Sequence, residues 1–157
     1  DRQKIDSDTF RDAWRRSMDV NLDGTLNVSL AFLPALRKSK GNIINISSVG
    51  GVVSTKSSSA YSTSKAAVIM LTKDMARELA SEDVRVNTIA PGSIKTAMSA
   101  ASHQDPERRE MYLATIPMGR FGEPEELAGP ASFLASKEMA SYVTGVVLNV
   151  DGGYLTT

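Results

Sequence analysis

The sequence predicts an α/β fold with a parallel sheet, and three observations carry that expectation. Stretches of helical periodicity alternate with short runs rich in branched residues along the whole chain. The strand-like runs are near-continuously apolar, as strands covered on both faces are. Glycine, proline and aspartate punctuate their ends.

Phe10, Trp14, Met18, Leu22, Leu26, Leu30, Leu33 and Leu36 recur at helical spacing, with Ser7 or Asp8 as the cap and Pro34 placed to distort the last turns. Gly41 then opens Asn-Ile-Ile-Asn-Ile-Ser (42–47), which reads as a buried parallel strand and leaves Ser48 at its carboxyl end. A loop containing Gly50-Gly51 and Ser57-Ser58-Ser59 leads to a helix over about 60–80, with Ala67, Leu71, Met75 and Leu79 on its apolar face. Residues 84–90 form a second strand stopped by Pro91-Gly92, and residues 146–150 a third stopped by Asp151-Gly152-Gly153. Between them, 106–114 and 125–135 suit two shorter helices, each with proline at its start. Ligands in such sheets bind beyond the carboxyl ends of the strands, where Ser48 and Pro91-Gly92 both fall.

Composition narrows the function classes. The 157 residues, 41% of them hydrophobic, suit one soluble domain without internal repeats. Lysine plus arginine equal aspartate plus glutamate at 18 each, so no overall field draws in nucleic acid or an anionic membrane. The absence of cysteine removes disulfides, which makes a reducing cytoplasm the default location. Apolar stretches fall short of the ~20 residues that span a bilayer, and the start Asp-Arg-Gln-Lys is too polar for a signal peptide.

The chemistry concentrates in Ser-Ala-Tyr-Ser-Thr-Ser-Lys-Ala-Ala (59–67). Tyr61 and Lys65 stand four apart, so on a helix they share a face. A cation beside a phenol stabilises phenolate over phenol and brings proton transfer within reach of working pH. Ser48, thirteen residues before Tyr61, supplies a hydroxyl that can hold a substrate oxygen against that phenol. The arrangement suits proton exchange with an alcohol or carbonyl, and the accompanying hydride must come from a cofactor because no side chain carries one.

These residues, with Val20-Asn21-Leu22-Asp23-Gly24, Asn87-Thr-Ile-Ala-Pro91-Gly92, Arg120-Phe-Gly-Glu-Pro-Glu-Glu-Leu and Asp151-Gly152-Gly153, resemble the short-chain dehydrogenase/reductase family in motif, order and spacing. The resemblance is to members of the 3-oxoacyl reductase and polyol dehydrogenase kind. It implies a Rossmann-like doubly wound parallel sheet, of which this chain supplies the later half, about three strands. It also implies an NAD(P)-dependent oxidoreductase, with NAD or NADP as cofactor, a small alcohol or carbonyl as substrate, and a homodimer or homotetramer built on the two long helices. Tyr61 is then the general acid in reduction and the general base in oxidation. Lys65 tunes it and bonds the nicotinamide ribose, Ser48 steadies the substrate oxygen, and Asn21 positions a water linking the lysine to solvent. Pro91, Gly92, Ile94 and Thr96 match the family's Pro-Gly-x-x-x-Thr element that lines nicotinamide.

No G-x-G-x-x-G occurs, nor the family's Thr-Gly-x-x-x-Gly-x-Gly and Asn-Asn-Ala-Gly segments. Residues 1–157 are therefore expected to be the carboxyl-terminal catalytic part of a single domain, lacking roughly 60 to 100 residues that hold the dinucleotide. An alternative reading is a noncatalytic chain whose exposed sheet edge pairs with a partner.

Other features read structurally. Asn21 equally suits a helix end, and Asp151-Gly152-Gly153 reads as turn chemistry. His103, the one histidine, sits in a polar stretch and reads as a solvated loop residue. With no G-x-S-x-G around Ser48, Ser-His-Asp hydrolysis is disfavoured, and no metal site is expected. Met98, Met111, Tyr112, Ile116 and Met118 suit either a substrate lid or core packing.

Overall fold

Apolar steps of four overshoot a 3.6-residue turn by about 40° each, so an unbroken α-helix from Phe10 to Leu30 would rotate its stripe off the core. The computed structural model, which describes residues 4–100 and 104–156, absorbs part of that drift in one wide turn. Helix α1 (Phe10–Met18) passes into a π-helical segment, Asp19–Asp23, and then into α2 (Gly24–Ser39). Leu30 still leaves the seam, 52% exposed, and Ser29 takes the inward position with its hydroxyl donating to Thr25 O at 2.8 Å. Neither Ser7 nor Asp8 caps α1. Thr9 does so with a helical backbone and no side-chain bond, because a turn that pairs Phe10 N with Ser7 O already feeds the helix. Pro34 lies inside α2 without ending it. Asp1, Arg2, Gln3 and His103 lie outside the described residues, as does the side chain of Met98.

Strand β1 (Asn42–Ile46) pairs in parallel with β2 (Arg85–Pro91), which pairs in parallel with β3 (Val147–Val150), giving the order β1-β2-β3. Between β1 and β2 runs α3 (Ser59–Leu79), capped by the Ser58 hydroxyl, which accepts from Tyr61 N at 3.3 Å. On one face, Met75, Ala76 and Leu79 of α3 meet Val84 and Val86, with Leu33 and Leu36 of α2 and Ile43 packed around them. This face also buries Thr72, which donates to Val68 O at 2.8 Å and accepts from Asn45 Nδ2 at 2.8 Å and Thr88 Oγ1 at 2.6 Å.

The expectation that residues 42–47 form a buried strand needs correction. Within β1 only Asn45 is buried and Ile46 is 52% exposed, because β1 is the edge of the described sheet while β2 holds its centre.

After β2, α4 (Pro106–Leu113) starts on Asp105, whose Oδ1 accepts from Glu107 N and Arg108 N. The helix expected over 125–135 divides into a 3-10 turn, Pro124–Leu127, and α5 (Ala128–Ala135). A further short helix, α6 (Lys137–Ala140), is capped by Ser136 and was not foreseen, since four residues carry no periodicity. Arg85 and Asn87 anchor this layer to the sheet face opposite α3 through Leu134 O and Val143 O, both at 2.9 Å.

Candidate functional site

Four of the residues singled out from sequence gather around the end of β1 and the first turns of α3. Lys65 Nζ donates to Ile46 O at 3.0 Å and lies 5.8 Å from the centre of the Tyr61 ring. Both side chains are therefore on one face of α3, as four-residue spacing requires. Burial pushes the Lys65 pKa below its usual value. Ser48 follows the strand and caps a single 3-10 turn, Val49–Gly51, its Oγ accepting from Gly50 N at 3.1 Å. A Cβ placed on Gly50 would stand 3.5 Å from both Ser48 Oγ and Ser62 Oγ, so the turn that Ser48 caps packs against the first turn of α3. Asn21 reaches the same helix from the π-helical segment, its Nδ2 donating to Ser64 Oγ at 2.9 Å.

Three contacts in this cluster were not anticipated. Ser47, buried between strand and helix, donates its hydroxyl to Lys65 O at 2.7 Å. Gly51 packs on the same peptide: a Cβ there would meet Lys65 C at 2.7 Å, so only glycine lets the Ser48 turn approach α3 this closely. Ser64 donates to Tyr61 O at 2.7 Å while receiving Asn21. Serines flanking Ser48 and Lys65 are visible in sequence, but no spacing rule gives their partners. A recess of about 330 Å³ opens between α1 and the start of α3, bordered by Phe10, Arg16, Val20, Asn21, Ser58 and Ala60.

The Pro91–Thr96 stretch continues from the end of β2, beside the end of β3. Gly92 N donates to Val150 O at 3.0 Å, and a Cβ on Gly92 would stand 2.7 Å from Asp151 Cα. Ile94 forms a parallel bridge with Gly122, whose missing Cβ leaves room for the Ile94 side chain. Lys95 pairs with Glu123, and Arg120 grips Glu126 with two bonds of 2.7 Å. The Arg120-Phe-Gly-Glu-Pro motif, to which the sequence assigned no role, is thus the clamp on this stretch. Thr96 is exposed, and its N–H donates to Ser99 Oγ at 2.9 Å.

Asp151-Gly152-Gly153 is a turn, with φ of 64° and 89° at the glycines and Asp151 Oδ1 accepting from Gly153 N. Ile116 is core, whereas Met111 and Met118 are exposed. Among the described residues, no cluster of His, Asp or Glu is arranged to hold a metal, and no helix is long and apolar enough to cross a membrane.

Comparison with known proteins places this architecture in a family. A family model described as enoyl-(acyl carrier protein) reductase matches residues 3–155. The 3-oxoacyl-(acyl-carrier-protein) reductase FabG of Thermotoga maritima is 46% identical over 142 residues, covering 89% of this chain and 56% of the relative. Galactitol 2-dehydrogenase of Cereibacter sphaeroides is 46% identical over 144 residues, covering 90% and 56%. A gluconate 5-dehydrogenase from Burkholderia cenocepacia, solved in complex with NADP and tartrate, superposes with a TM-score of 0.94 at 35% identity, over 100% of this chain and 61% of its own. The protein belongs to the short-chain dehydrogenase/reductase family. The chain spans little more than half the length of the two curated relatives.

Proposed function

We propose that the protein carrying these residues is an NAD(P)-dependent oxidoreductase that interconverts an alcohol and a carbonyl at a Ser48-Tyr61-Lys65 proton-transfer site. The observation that supports this most directly is the Lys65 ammonium, 5.8 Å from the Tyr61 ring and held to the last residue of β1 through Ile46 O. In reduction Tyr61 gives its proton to the substrate oxygen, and in oxidation it takes one. The Lys65 charge favours the phenolate left behind. Ser48 can donate or accept, so it follows that oxygen through the change from carbonyl to hydroxyl. Asn21 holds water for the proton's route to solvent.

The donor set fits the nicotinamide-ribose end of NAD or NADP. Lys65 spends one of its three N–H donors on Ile46 O and keeps two for a diol. Tyr61, Lys65, Pro91, Gly92, Ile94 and Thr96 are the residues that would hold it. The bound dinucleotide supplies the hydride that no side chain can. Relatives named for 3-oxoacyl thioesters and for galactitol set two substrate classes to try. Because the relatives reported carry reductase and dehydrogenase names, a noncatalytic chain gains no support. We further propose a homodimer or homotetramer acting in the cytoplasm.

In the intact native polypeptide, assayed with a 3-oxoacyl thioester and a polyol against NAD(H) and NADP(H), Tyr61→Phe is expected to cost at least about 10²-fold in kcat. Cofactor affinity, measured by titration, should stay close to the native value. Full activity in Tyr61→Phe refutes the proton-transfer role.

A further inference from the structure

We infer that Ser47 is a positioning residue that sets where the Lys65 ammonium stands relative to Tyr61, an inference that rests on the Ser48-Tyr61-Lys65 reading proposed above. Lysine carries its charge on a flexible four-carbon stem, so its own geometry does not fix where that charge stands. Two consecutive residues at the end of β1 do so here. Ile46 O accepts from Lys65 Nζ at 3.0 Å and holds the head of the side chain. The Ser47 hydroxyl donates to Lys65 O at 2.7 Å and holds the backbone from which that side chain starts.

Ser47 is itself firmly placed. It is 3% exposed, and its N–H donates to Ile89 O at 2.8 Å on β2, the central strand. Its hydroxyl owns one hydrogen and a carbonyl only accepts, so the direction of the bond to Lys65 O is forced. A helix carbonyl gives one lone pair to the N–H four residues on and keeps a second, so Ser47 takes nothing from α3. The apolar cluster of Met75, Ala76 and Leu79 with Val84 and Val86 grips α3 about 15 Å further along the helix. At the level of Lys65, strand end and helix are joined through the Ser47 hydroxyl and the bare Gly51 backbone. Without that hydroxyl the Lys65 turn is free to shift, and a charge that recedes from the phenol supports phenolate less. Ser47 thereby couples the strand that leads into Ser48 to the cation that serves Tyr61.

The test follows kcat/KM for alcohol oxidation against pH in the intact native polypeptide at saturating dinucleotide, where the acid limb reports ionisation of the group that takes the proton. Ser47→Ala removes one oxygen and adds no atom, so a single cooperative unfolding transition in urea should remain. Its acid limb should move up by about half to one pH unit, the range one neutral hydrogen bond is worth. At neutral pH this is a loss of about threefold to tenfold, and it should close as pH rises past the limb. In a Lys65→Met background the same substitution should bring no further loss. A native profile, a loss of equal size at every pH, or a loss that persists beside Lys65→Met would each overturn the inference. Should the alanine variant fail to fold, Ser47→Cys keeps a weaker donor in the same place and must still raise the limb, and an unmoved limb there overturns the inference as well. The Tyr61→Phe result separates the two claims. Full activity there sinks the functional reading, whereas an inactive Tyr61→Phe beside an unshifted Ser47→Ala sinks this inference alone.

Discussion

Lys65 carries two opposed demands. The proposed function asks for its ammonium beside Tyr61, yet burial holds its pKa below the ordinary 10.5. A lysine that binds its proton less tightly folded than unfolded destabilises the protein while charged, and stability recovers as pH rises toward 10.5. Lys65→Met is therefore expected to leave the melting temperature at neutral pH equal or higher while cutting kcat by about 10²-fold or more. Calorimetry and the activity assay on one preparation read both, and a clear fall in melting temperature would show that the bond to Ile46 O outweighs the burial cost. Gly51 shows the same economy in backbone form: the Lys65 peptide can be approached only because that residue has no side chain.

At the scale of elements, the site depends on how α3 and the stretch after β2 are held. Thr72 locks α3 to both β1 and β2 through one hydroxyl that accepts two bonds and donates a third, all among buried residues. Thr72→Val keeps the volume but strands the donors of Asn45 and Thr88, so a loss of about 2 to 4 kcal/mol is expected from two unsatisfied buried groups. Urea unfolding should show a lower midpoint with the slope unchanged. The clamp after β2 titrates. Hydrogen bonds from Arg120, then from the Glu123 backbone, hold the Glu126 pKa at about 2, against an ordinary 4.5. A depressed carboxylate contributes stability above its unfolded pKa and loses it as pH falls through the folded one. Native protein should therefore lose stability between about pH 4.5 and pH 2 in a component missing from Glu126→Gln, measured as the difference between their melting curves. Identical acid profiles would remove Glu126 from the account of acid stability.

For the whole molecule, the outward faces of the long helices need an explanation. Val28 and Phe32 of α2, one helical step apart, are each 62% exposed, and Met70 of α3 is 56% exposed. Apolar side chains so placed suit a surface that a second copy covers, consistent with the proposed homo-oligomer. Phe32→Asp should shift the intact protein toward smaller species in sedimentation equilibrium, since an unpaired carboxylate resists burial. An unchanged mass would place the oligomer contact elsewhere.

The fold class was legible because alternating periodicities report local geometry, and each strand and α3 appeared within a residue of its expected place, while the first helical run divided around its π-helical turn. Tyr61 and Lys65 were legible as a pair for the same reason: four-residue spacing fixes a shared helix face whatever surrounds it. What spacing cannot encode is the partner across a gap in sequence. Ser47 meets Lys65, Ser64 meets Asn21, and Gly122 receives Ile94 only once strands and helices have packed. The π-helical turn and the exposure of Leu30 likewise come from fitting a stripe with a four-residue step to a helix with a 3.6-residue turn against a particular sheet. Local chemistry and periodicity thus belonged to the sequence, whereas every contact that aims the chemistry was decided in the tertiary structure, where close packing selects which distant atoms touch.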